Sequence, residues 1–146
     1  MKIDEWGDLQ IMARTLWGEA RGDGAEGIEA VARVIINRFK AKKWFTGYRI
    51  EEGKKVADIK ATCLKKAQFS CWNKNDVNYH KILCLTENDK VFIHCLKVAE
   101  KAIDGNLPDF TNNATFYHTK QIKPKWAIHH SPCYETKNHL FYNDIK

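Results

Sequence analysis

The feature that most constrains the fold is a continuous apolar stripe between residues 28 and 39. Apolar side chains recur there at helical spacing, namely Ile28, Val31, Ala32, Ile35, Ile36 and Phe39. Asp23 and Glu26 have the spacing of a capping box, with the aspartate in the cap position. Glu29 and Arg33 are four residues apart and can pair on the outer face. The pattern predicts a helix that begins near Asp23 and forms the core of the domain.

An amphipathic segment precedes this helix and ends in a glycine-rich corner. Its apolar face predicts a helix over residues 5–20, formed by Leu9, Met12, Ala13, Leu16 and Trp17. Gly18 weakens the helix just before Glu19, and Gly22 with Gly24 ends it. A carboxyl group at this corner can hang over a cleft, and partial shielding by a neighbouring apolar side chain keeps a proton available for donation. The competing interpretation is that Glu19 is solvated at an ordinary turn.

The rest of the chain predicts a mostly helical domain with a small β element. Residues 40–80 are lysine-rich and lack a regular period, so we expect short helical pieces and exposed loops there. A further helix is predicted over residues 87–104, and Gly105 is a natural stop for it. Two short β-prone runs, 115–118 and 139–142, are expected to lie side by side as a small sheet. The fold class is therefore α+β, mainly α, and the 146 residues form a single domain.

Charge and the N-terminus bear on the partners and on the place of action. The net charge is +6, which favours an anionic partner such as nucleic acid, acidic lipid or cell wall without choosing among them. The sequence has no apolar run long enough to span a membrane, and its first residues lack the apolar segment of a signal peptide. We expect synthesis in the cytoplasm, followed by phage-type release, or a mature domain cut from a longer precursor. The sequence contains no exposed heptad repeat and no long apolar patch that would predict a dimer, so we expect a monomer.

The cysteines and histidines suggest little special chemistry. Five cysteines form an odd set without CxxC spacing, which argues against a disulfide framework and leaves one bridge open. Cys84 and Cys95 fall among apolar residues, where a free thiol behaves as a small core residue. The densest cluster, residues 129–133, matches no common zinc spacing. We therefore expect no metal and no cofactor, with a Cys/His metalloenzyme as an alternative.

Four stretches, in order along nearly the whole chain, form one pattern. They are residues 15–38 (TLWGEARGDGAEGIEAVARVIINR), 67–73 (AQFSCWN), 114–118 (ATFYH) with 124–127 (PKWA), and 138–142 (NHLFY). This pattern resembles the SleB-like cell-wall hydrolases, the family of spore-cortex lytic enzymes. The resemblance implies a small lysozyme-like fold and lytic action on peptidoglycan, and it places Glu19 at the family's essential catalytic glutamate. The lysine-rich stretch before QFS departs from the family pattern.

Cleavage of a β-1,4-glycan sets the requirements for the site. One acid must protonate the leaving oxygen, and another group must capture or stabilise the oxocarbenium-like sugar. A hydrolase uses a second carboxylate, whereas a lytic transglycosylase lets the sugar's own C6 hydroxyl attack, so one glutamate can act as acid and then base. Asp23 and Glu26 can be explained as residues that cap a helix, and Asp109 lies in a loop. The sequence therefore indicates no second catalytic carboxylate.

These requirements favour one reaction over another. With the resemblance, which includes lytic transglycosylases, they favour a lytic transglycosylase that cleaves between N-acetylmuramic acid and N-acetylglucosamine, with Glu19 as general acid/base. A lysozyme-type muramidase, such as a phage endolysin, is the alternative.

Other residues are candidates for catalysis or for glycan binding. Tyr117 is assigned, by analogy with lytic transglycosylase sites, as a hydrogen-bond donor near Glu19. Since neighbouring residues of a strand face opposite ways, either Tyr117 or His118 should face the cleft. Amide and hydroxyl groups could bind sugar oxygens, and aromatic rings could stack on sugar faces, although each aromatic could instead pack in the core. The predicted substrate-binding residues are Gln68, Phe69, Ser70, Trp72, His118 and Trp126.

Two other classes of protein compete with the enzyme. A non-catalytic glycan-binding module would keep the aromatic residues and dispense with Glu19. A nucleic-acid binder would suit the charge, but no helix carries a one-sided Lys/Arg stripe and no RNA-binding signature appears, so no nucleic-acid partner is expected. Basic clusters at residues 40–43, 54–55 and 65–66 are usually solvated, and if functional they would hold the protein to an anionic wall.

Overall fold

A computed structural model describes residues 2–146, and its helices carry most of the core. The helices are Lys2–Glu5 (α1), Asp8–Ala20 (α2), Gly24–Ala41 (α3), Ile59–Leu64 (α4), Tyr79–Leu83 (α5) and Lys90–Ile103 (α6). The strands are Tyr48–Glu51 (β1), Lys54–Ala57 (β2), Phe116–Thr119 (β3), Tyr134–Glu135 (β4) and His139–Tyr142 (β5). Short 3-10 turns lie at Arg21–Asp23, Ser70–Trp72 and Lys125–Ala127. The predicted α+β class, mainly α, is confirmed.

The core lies where α2, α3 and α6 pack against one another. The predicted stripe is the buried face of α3, because Val31 and Ile35 are fully buried and Ile28 is 2% exposed. Leu16 of α2 and Phe92 of α6 belong to the same cluster. Burying such a side chain stabilises the fold by roughly 1.5–3 kcal/mol. The central helices therefore form a rigid support for the corner between α2 and α3.

Two polar contacts predicted on α3 are wrong, because these side chains turn inward. Asp23 occupies the N-cap position of α3, but its side chain makes no capping hydrogen bond. Its buried carboxylate instead bonds to residues at the start of β5. Arg33 does not pair with Glu29. It donates to the Leu107 carbonyl oxygen at 2.9 Å and lies 3.7 Å from Asp109.

The region between residues 40 and 80 contains the predicted short helices and a hairpin that was not predicted. Strands β1 and β2 pair antiparallel, with Glu51 opposite Lys54. Glu52 and Gly53 between them both have positive φ, at 50° and 79°, as tight hairpin turns require. A side chain at Gly47, just before β1, would meet backbone atoms of α4 at about 2.1 Å, so only glycine fits there.

The C-terminal third contains the predicted small sheet. Strands β3 and β5 pair antiparallel, and β4 lies on the other side of β5. Tyr117 is opposite Phe141 in this register. Helix α6 begins at Lys90 rather than near residue 87, because the Asp89 side chain accepts the Phe92 amide hydrogen at 2.9 Å. The sheet brings Tyr117 against the end of α2.

The five cysteines are all free thiols. Cys95 is buried in the helical core as predicted, whereas Cys84 is exposed after α5, so the core position predicted for Cys84 is wrong. Within residues 2–146, no helix combines the length and the apolar character needed to cross a membrane.

Candidate active site

Glu19 lies in the last turn of α2, and both of its carboxylate oxygens accept hydrogen bonds. The Tyr117 hydroxyl donates to Oε1 at 2.6 Å. The backbone amide of Cys71 donates to Oε2 at 3.3 Å. These contacts join three distant parts of the chain, namely α2, the 3-10 turn at Ser70–Trp72 and β3. Glu19 is therefore half-buried and held by two hydrogen bonds. The competing interpretation of a freely solvated side chain at an ordinary turn does not describe this arrangement.

Gly18 makes the contact with the 3-10 turn possible. A methyl group at this position would lie 2.7 Å from the Cys71 Cβ atom and 2.9 Å from its Sγ atom. Real Cβ atoms do not approach side chains so closely, so the turn would have to move away. The glycine that weakens α2 in sequence terms is therefore the residue that lets Cys71 reach Glu19.

Tyr117 and His118 point to opposite faces of β3, as the alternation predicted. Tyr117 reaches Glu19, whereas the His118 ring contacts the Tyr142 hydroxyl at 2.9 Å. Burial raises the pKa of the Tyr117 phenol well above its usual value, and the neighbouring charge of Glu19 raises it further. The phenol therefore keeps its proton at physiological pH and donates a hydrogen bond to the carboxylate.

Two cavities meet at Glu19. The first, of about 490 Å³, is lined by α2, the corner after it and the segment before β5. The second, of about 400 Å³, is lined by α3, the QFS stretch, β3 and the loop after β3. They share Glu19, Thr119 and His139. The two cavities therefore adjoin at the Glu19 side chain, and together they are called the groove below.

Most of the predicted substrate-binding residues lie along the second cavity. Gln68, Ser70, His118 and Trp126 all line it with Tyr117. The prediction that only one of Tyr117 and His118 faces the cleft is therefore wrong, because both rings reach the wall of this cavity. The ring of Trp126 packs edge-on against His118, with centroids 5.6 Å apart, while contributing to the cavity wall. Both ring nitrogens of His118 are already engaged, with Tyr142 and with the Thr119 carbonyl. The polar groups best placed for a glycan are therefore those of Gln68 and Ser70.

Phe69 lies in the interior and Trp72 is half-buried against the core, so neither ring lines the groove. Phe69 is 2% exposed and packs in the main core. The indole N–H of Trp72 donates to the Thr15 hydroxyl at 2.9 Å, and the ring lines neither cavity. Their contribution is to fix the 3-10 turn that carries Cys71.

Arg38 is a groove residue that the sequence analysis did not single out. Its guanidinium donates to the Thr115 carbonyl at 2.6 Å and to the Gln68 side-chain oxygen at 3.0 Å. It lies between the rings of Phe69 and Phe116, at 4.9 and 4.7 Å from their centroids. Burial lowers the pKa of Arg38 to about 10, and the nearby Tyr117 and Glu19 oppose that effect. Arg38 thus brings a positive charge close to the carboxylate.

Asp23 and His139 form a second polar pair in the groove. The buried Asp23 carboxylate accepts hydrogen bonds from the Thr136 hydroxyl and from the Asn138 amide, the latter at 2.7 Å. Its Oδ2 atom lies 2.9 Å from Nδ1 of His139. The His139 ring also packs edge-on against Tyr117, with centroids 5.3 Å apart. The NHLFY stretch was the available signal for His139, but its partner could not be deduced from spacing.

The other acids considered from the sequence lie away from Glu19. Glu26 accepts a hydrogen bond from the Tyr134 hydroxyl at 2.6 Å and lines neither cavity. Asp109 is engaged by Asn37 and Thr111, and these bonds lower its pKa against the opposing effect of burial. Apart from Glu19, Asp23 is the carboxylate that lines the groove in the described residues, and its oxygens are already bonded.

Other parts of the described chain offer weaker sites. No group of three or more His, Cys, Asp or Glu side chains within residues 2–146 is arranged to hold a metal ion. A cavity of about 660 Å³ lies between α2 and α6, around Arg14 and Phe92. None of the predicted site residues lines it, so the groove that contains Glu19 is the better candidate.

The fold and the groove define a class: a small α+β domain with the hydrogen-bonded carboxylate of Glu19 at the wall of an open cleft. The chain belongs to the cell wall hydrolase family, whose model matches residues 22–142. The match begins three residues after Glu19, so the assignment of that residue rests on the geometry and on the GEARG motif. Comparison with curated protein sequences gives no significant match.

Two solved structures share the fold. They are the catalytic domain of the Bacillus cereus SleB protein and the catalytic domain of the germination-specific lytic transglycosylase SleB from Bacillus anthracis. Each is 24% identical to this chain with a TM-score of 0.65, and each alignment covers 92% of this chain. The alignments cover 88% and 93% of the respective structures. As a member of the cell wall hydrolase family, the protein is an enzyme that acts on the cell wall, with peptidoglycan as the substrate that its family implies.

Proposed function

We propose that this protein is a lytic transglycosylase that cleaves the glycan strand of peptidoglycan between N-acetylmuramic acid and N-acetylglucosamine. Glu19 is its general acid and base. One observation carries the proposal: the carboxylate of Glu19 lies where two cavities meet, with a hydrogen-bond donor on each of its oxygens. A glycan lying in the groove would have sugars on both sides of this group.

Glu19 begins the reaction as an acid. In the protonated state it gives its proton to the oxygen of the scissile glycosidic bond, and the bond to the anomeric carbon breaks. The resulting carboxylate is then stabilised by the Tyr117 hydroxyl and the Cys71 amide, which already point at its two oxygens. The positive charge of Arg38 acts in the same direction. These donors are fixed by the fold, so little reorganisation accompanies the step.

Glu19 then acts as a base. The C6 hydroxyl of the muramyl residue attacks the oxocarbenium-like carbon, and its proton passes to the Glu19 carboxylate. The product carries a 1,6-anhydro ring, and the enzyme returns to its starting protonation state. Asp23, the other acid at the groove, is buried and bonded on both oxygens, so it is poorly placed to serve as a nucleophile or to activate water. This shortage of a free second carboxylate supports transglycosylation over hydrolysis.

The similarity of the fold to a structure described as a lytic transglycosylase supports the same assignment. The alternative is a lysozyme-type muramidase, in which Glu19 protonates the leaving oxygen and water is the nucleophile. A glycan-binding module is less well supported, since binding alone gives no reason for a tyrosine and an amide to converge on one carboxylate.

The products distinguish the two reactions. Purified peptidoglycan is digested with the protein, and the soluble fragments are identified by mass spectrometry. Anhydro-muramyl ends, 18 Da lighter than the hydrolysed ends, are expected from the mass of one water. Reducing muramyl ends in their place would overturn the transglycosylase assignment while keeping a glycosidase. The absence of any fragment would overturn both in favour of binding.

A further inference from the structure

We propose that Gln68 is a specificity-determining residue, whose amide nitrogen donates a hydrogen bond to the carbonyl oxygen of an acetamido group on the glycan. This inference rests on the proposed function, because it names the group of the substrate that the second cavity recognises. A glutamine side chain can donate through its nitrogen or accept through its oxygen. The group that it binds therefore depends on which end of the amide is free.

The contact with Arg38 determines which end of the Gln68 amide is free. A guanidinium carries N–H donors and no acceptor, so the group that faces it must be the amide oxygen. Oε1 of Gln68 accepts a hydrogen bond from Nη1 of Arg38 at 3.0 Å. The opposite orientation of the amide would place two donors against each other. The oxygen of Gln68 is therefore occupied, and its nitrogen points away from Arg38.

Arg38 is itself held firmly in place. It is buried, and its Nε atom donates to the Thr115 carbonyl at 2.6 Å while the guanidinium packs against the rings of Phe69 and Phe116. A fixed cation against the amide oxygen also polarises the amide, which makes its N–H groups stronger donors. Gln68 thus presents a rigid donor rather than an adaptable polar group.

The amide nitrogen of Gln68 meets the open space of the second cavity. Gln68 is half-buried and lines that cavity together with Glu19. Its Nε2 atom has no hydrogen-bond partner among residues 2–146, yet it is not among the fully buried polar atoms that lack a partner. The atom is therefore accessible to solvent in the free protein and to a ligand in the occupied cavity. A ligand satisfies it by providing an acceptor.

The same cavity has an apolar wall. The wall residues are Ala67, Ile122, Pro124 and Trp126. An acetamido group combines a strong carbonyl acceptor with a methyl group, so it can satisfy the Gln68 nitrogen and cover part of this wall at once. A sugar hydroxyl could accept the same hydrogen bond, but it would leave the apolar side chains uncovered. The chemistry of the cavity therefore favours the acyl group of an N-acetylated sugar.

Charge strengthens this preference. A de-N-acetylated sugar carries an amine at the same carbon, and the protonated amine has donors only. Next to Gln68 it would face another donor, and the positive charge of Arg38 behind the amide would repel it. A site discriminates between two ligands both by pairing the correct one and by leaving the wrong one unpaired or repelled. Gln68 should therefore raise kcat/KM for N-acetylated glycan relative to its de-N-acetylated form.

The test uses Gln68→Glu in the whole protein, because glutamate still accepts from Arg38 but has an acceptor where Nε2 was. At one mildly acid pH, turnover is measured on soluble peptidoglycan fragments and on two preparations that deacetylases have stripped of acetyl groups on glucosamine or on muramic acid. We expect the ratio of kcat/KM for acetylated over deacetylated fragments to fall about tenfold or more with one preparation, which identifies the sugar. Re-acetylation with acetic anhydride should restore wild-type turnover.

A second variant and a matched control accompany this change. Gln68→Met keeps the length of the side chain without a donor, and its ratio should fall about 2- to 10-fold, as for loss of one neutral hydrogen bond. Gln10→Glu is the control, because Oε1 of Gln10 also accepts from a buried arginine, Arg14, at 3.1 Å and lies outside the groove. Its ratio should equal that of wild type.

The other outcomes separate the two proposals. An unchanged ratio in a folded Gln68 variant would overturn the role of Gln68, even if turnover fell equally on every preparation, because a structural role or a contact with the lactyl carbonyl predicts an equal fall. An equal change of the ratio in Gln10→Glu would overturn it as well, in favour of a general effect of charge. If Gln68→Glu fails to fold, the ratio in Gln68→Met decides alone. Inactivity of wild type on every preparation, or full activity in Glu19→Gln, would instead overturn the proposed function.

Discussion

The phenol oxygen of Tyr117 lies 2.6 Å from Oε1 of Glu19, although the two residues are 98 positions apart in the chain. One residue ends a core helix and the other lies in a short strand, so the contact exists only when the helical and sheet regions are packed together. The carboxylate thereby gains a donor that burial keeps protonated. Removal of the hydroxyl is the smallest change that tests the value of this contact.

Tyr117→Phe should lower turnover by about 10- to 100-fold, since a hydrogen bond to a charged group contributes about 1.5–3 kcal/mol. The ring packing with Phe141 and His139 should keep the variant folded. The matched control is Tyr134→Phe, which removes a hydroxyl bonded to Glu26 at the same distance of 2.6 Å outside the groove. Equal activity of both variants in a peptidoglycan digestion assay would mean that Tyr117 has a structural role only.

Gly18→Ala should damage both stability and activity. The added methyl group would lie 2.7 Å from Cys71, so the turn that donates to Glu19 must shift. Overpacking of this kind costs about 1–3 kcal/mol, which thermal or denaturant unfolding can measure. Gly22→Ala is the control for stability, because nothing lies within 4 Å of the position that its methyl group would take. Equal melting temperatures would contradict the close approach at Gly18.

Alkylation of the cysteines should follow their burial. Burial raises the pKa of both Cys63 and Cys95 to about 12 and raises that of Cys71 as well, so their reactive thiolate forms are scarce. Cys84 is exposed. Iodoacetamide at pH 8 should therefore modify Cys84 first and reach the three buried thiols only on unfolding, as peptide mass spectrometry would show. Rapid modification of Cys71 in the native protein would contradict the packing at Gly18.

The raised pKa values of the buried thiols also predict that the stability of the protein falls at alkaline pH. The folded-state pKa values of these thiols lie above the ordinary value of 9.0, so the unfolded chain loses its thiol protons first as the pH rises. This contribution to stability is fully present below about pH 9 and is lost as the pH rises toward 12. Replacing Cys63 with alanine and Cys95 with valine should reduce the fall in the free energy of unfolding between pH 8.5 and 10.5, as measured by denaturant titration. An unchanged slope would contradict the assigned shifts.

The basic surface near the hairpin should help to hold the protein on an anionic wall. Lys42 and Lys55 line the same cavity of about 360 Å³, and Lys54 and Trp44, close to them in the sequence, are exposed. A double change of Lys54 and Lys55 to glutamate should weaken sedimentation with insoluble walls at low salt, and added salt should reduce the difference. Turnover of soluble fragments should be unaffected.

The control for this surface is a double change of Lys97 and Lys101 to glutamate. These residues are exposed on α6 and alter the net charge equally. Equal loss of wall binding in both double variants would mean that total charge, rather than the hairpin surface, holds the protein to the wall.

The sequence predicted those parts of the fold that depend on local periodicity. The apolar stripe of α3 and the alternation of Tyr117 and His118 each express the geometry of a single element, and the structure confirms both. The pairing of β3 with β5 followed because both runs were short and β-prone. The hairpin was missed because Glu52-Gly53 is a weaker turn signal than Asn-Gly, and the lysines hide its alternation.

The missed parts of the site depend on distant partners. Asp23 has the local pattern of a helix cap, yet residues 113 to 116 positions away provide its hydrogen bonds. Arg38 looked like an ordinary basic residue near the end of a helix, and only the packing of Phe69 and Phe116 around it reveals its burial. The burial of Phe69 likewise depends on tertiary packing. An aromatic residue can stack on a ligand or fill a core, and the sequence alone does not distinguish the two.

The central claim is that the carboxyl group of Glu19 performs the cleavage, and Glu19→Gln tests it most directly. The variant keeps the shape of the side chain and removes the titrating proton. Digestion of purified peptidoglycan is measured beside wild type and Glu26→Gln, a control that loses a carboxylate bonded to Tyr134 outside the groove. We expect release of glycan fragments to fall by at least about 100-fold in Glu19→Gln alone, as loss of a general acid predicts, with unchanged thermal stability. Normal release by folded Glu19→Gln would contradict the account.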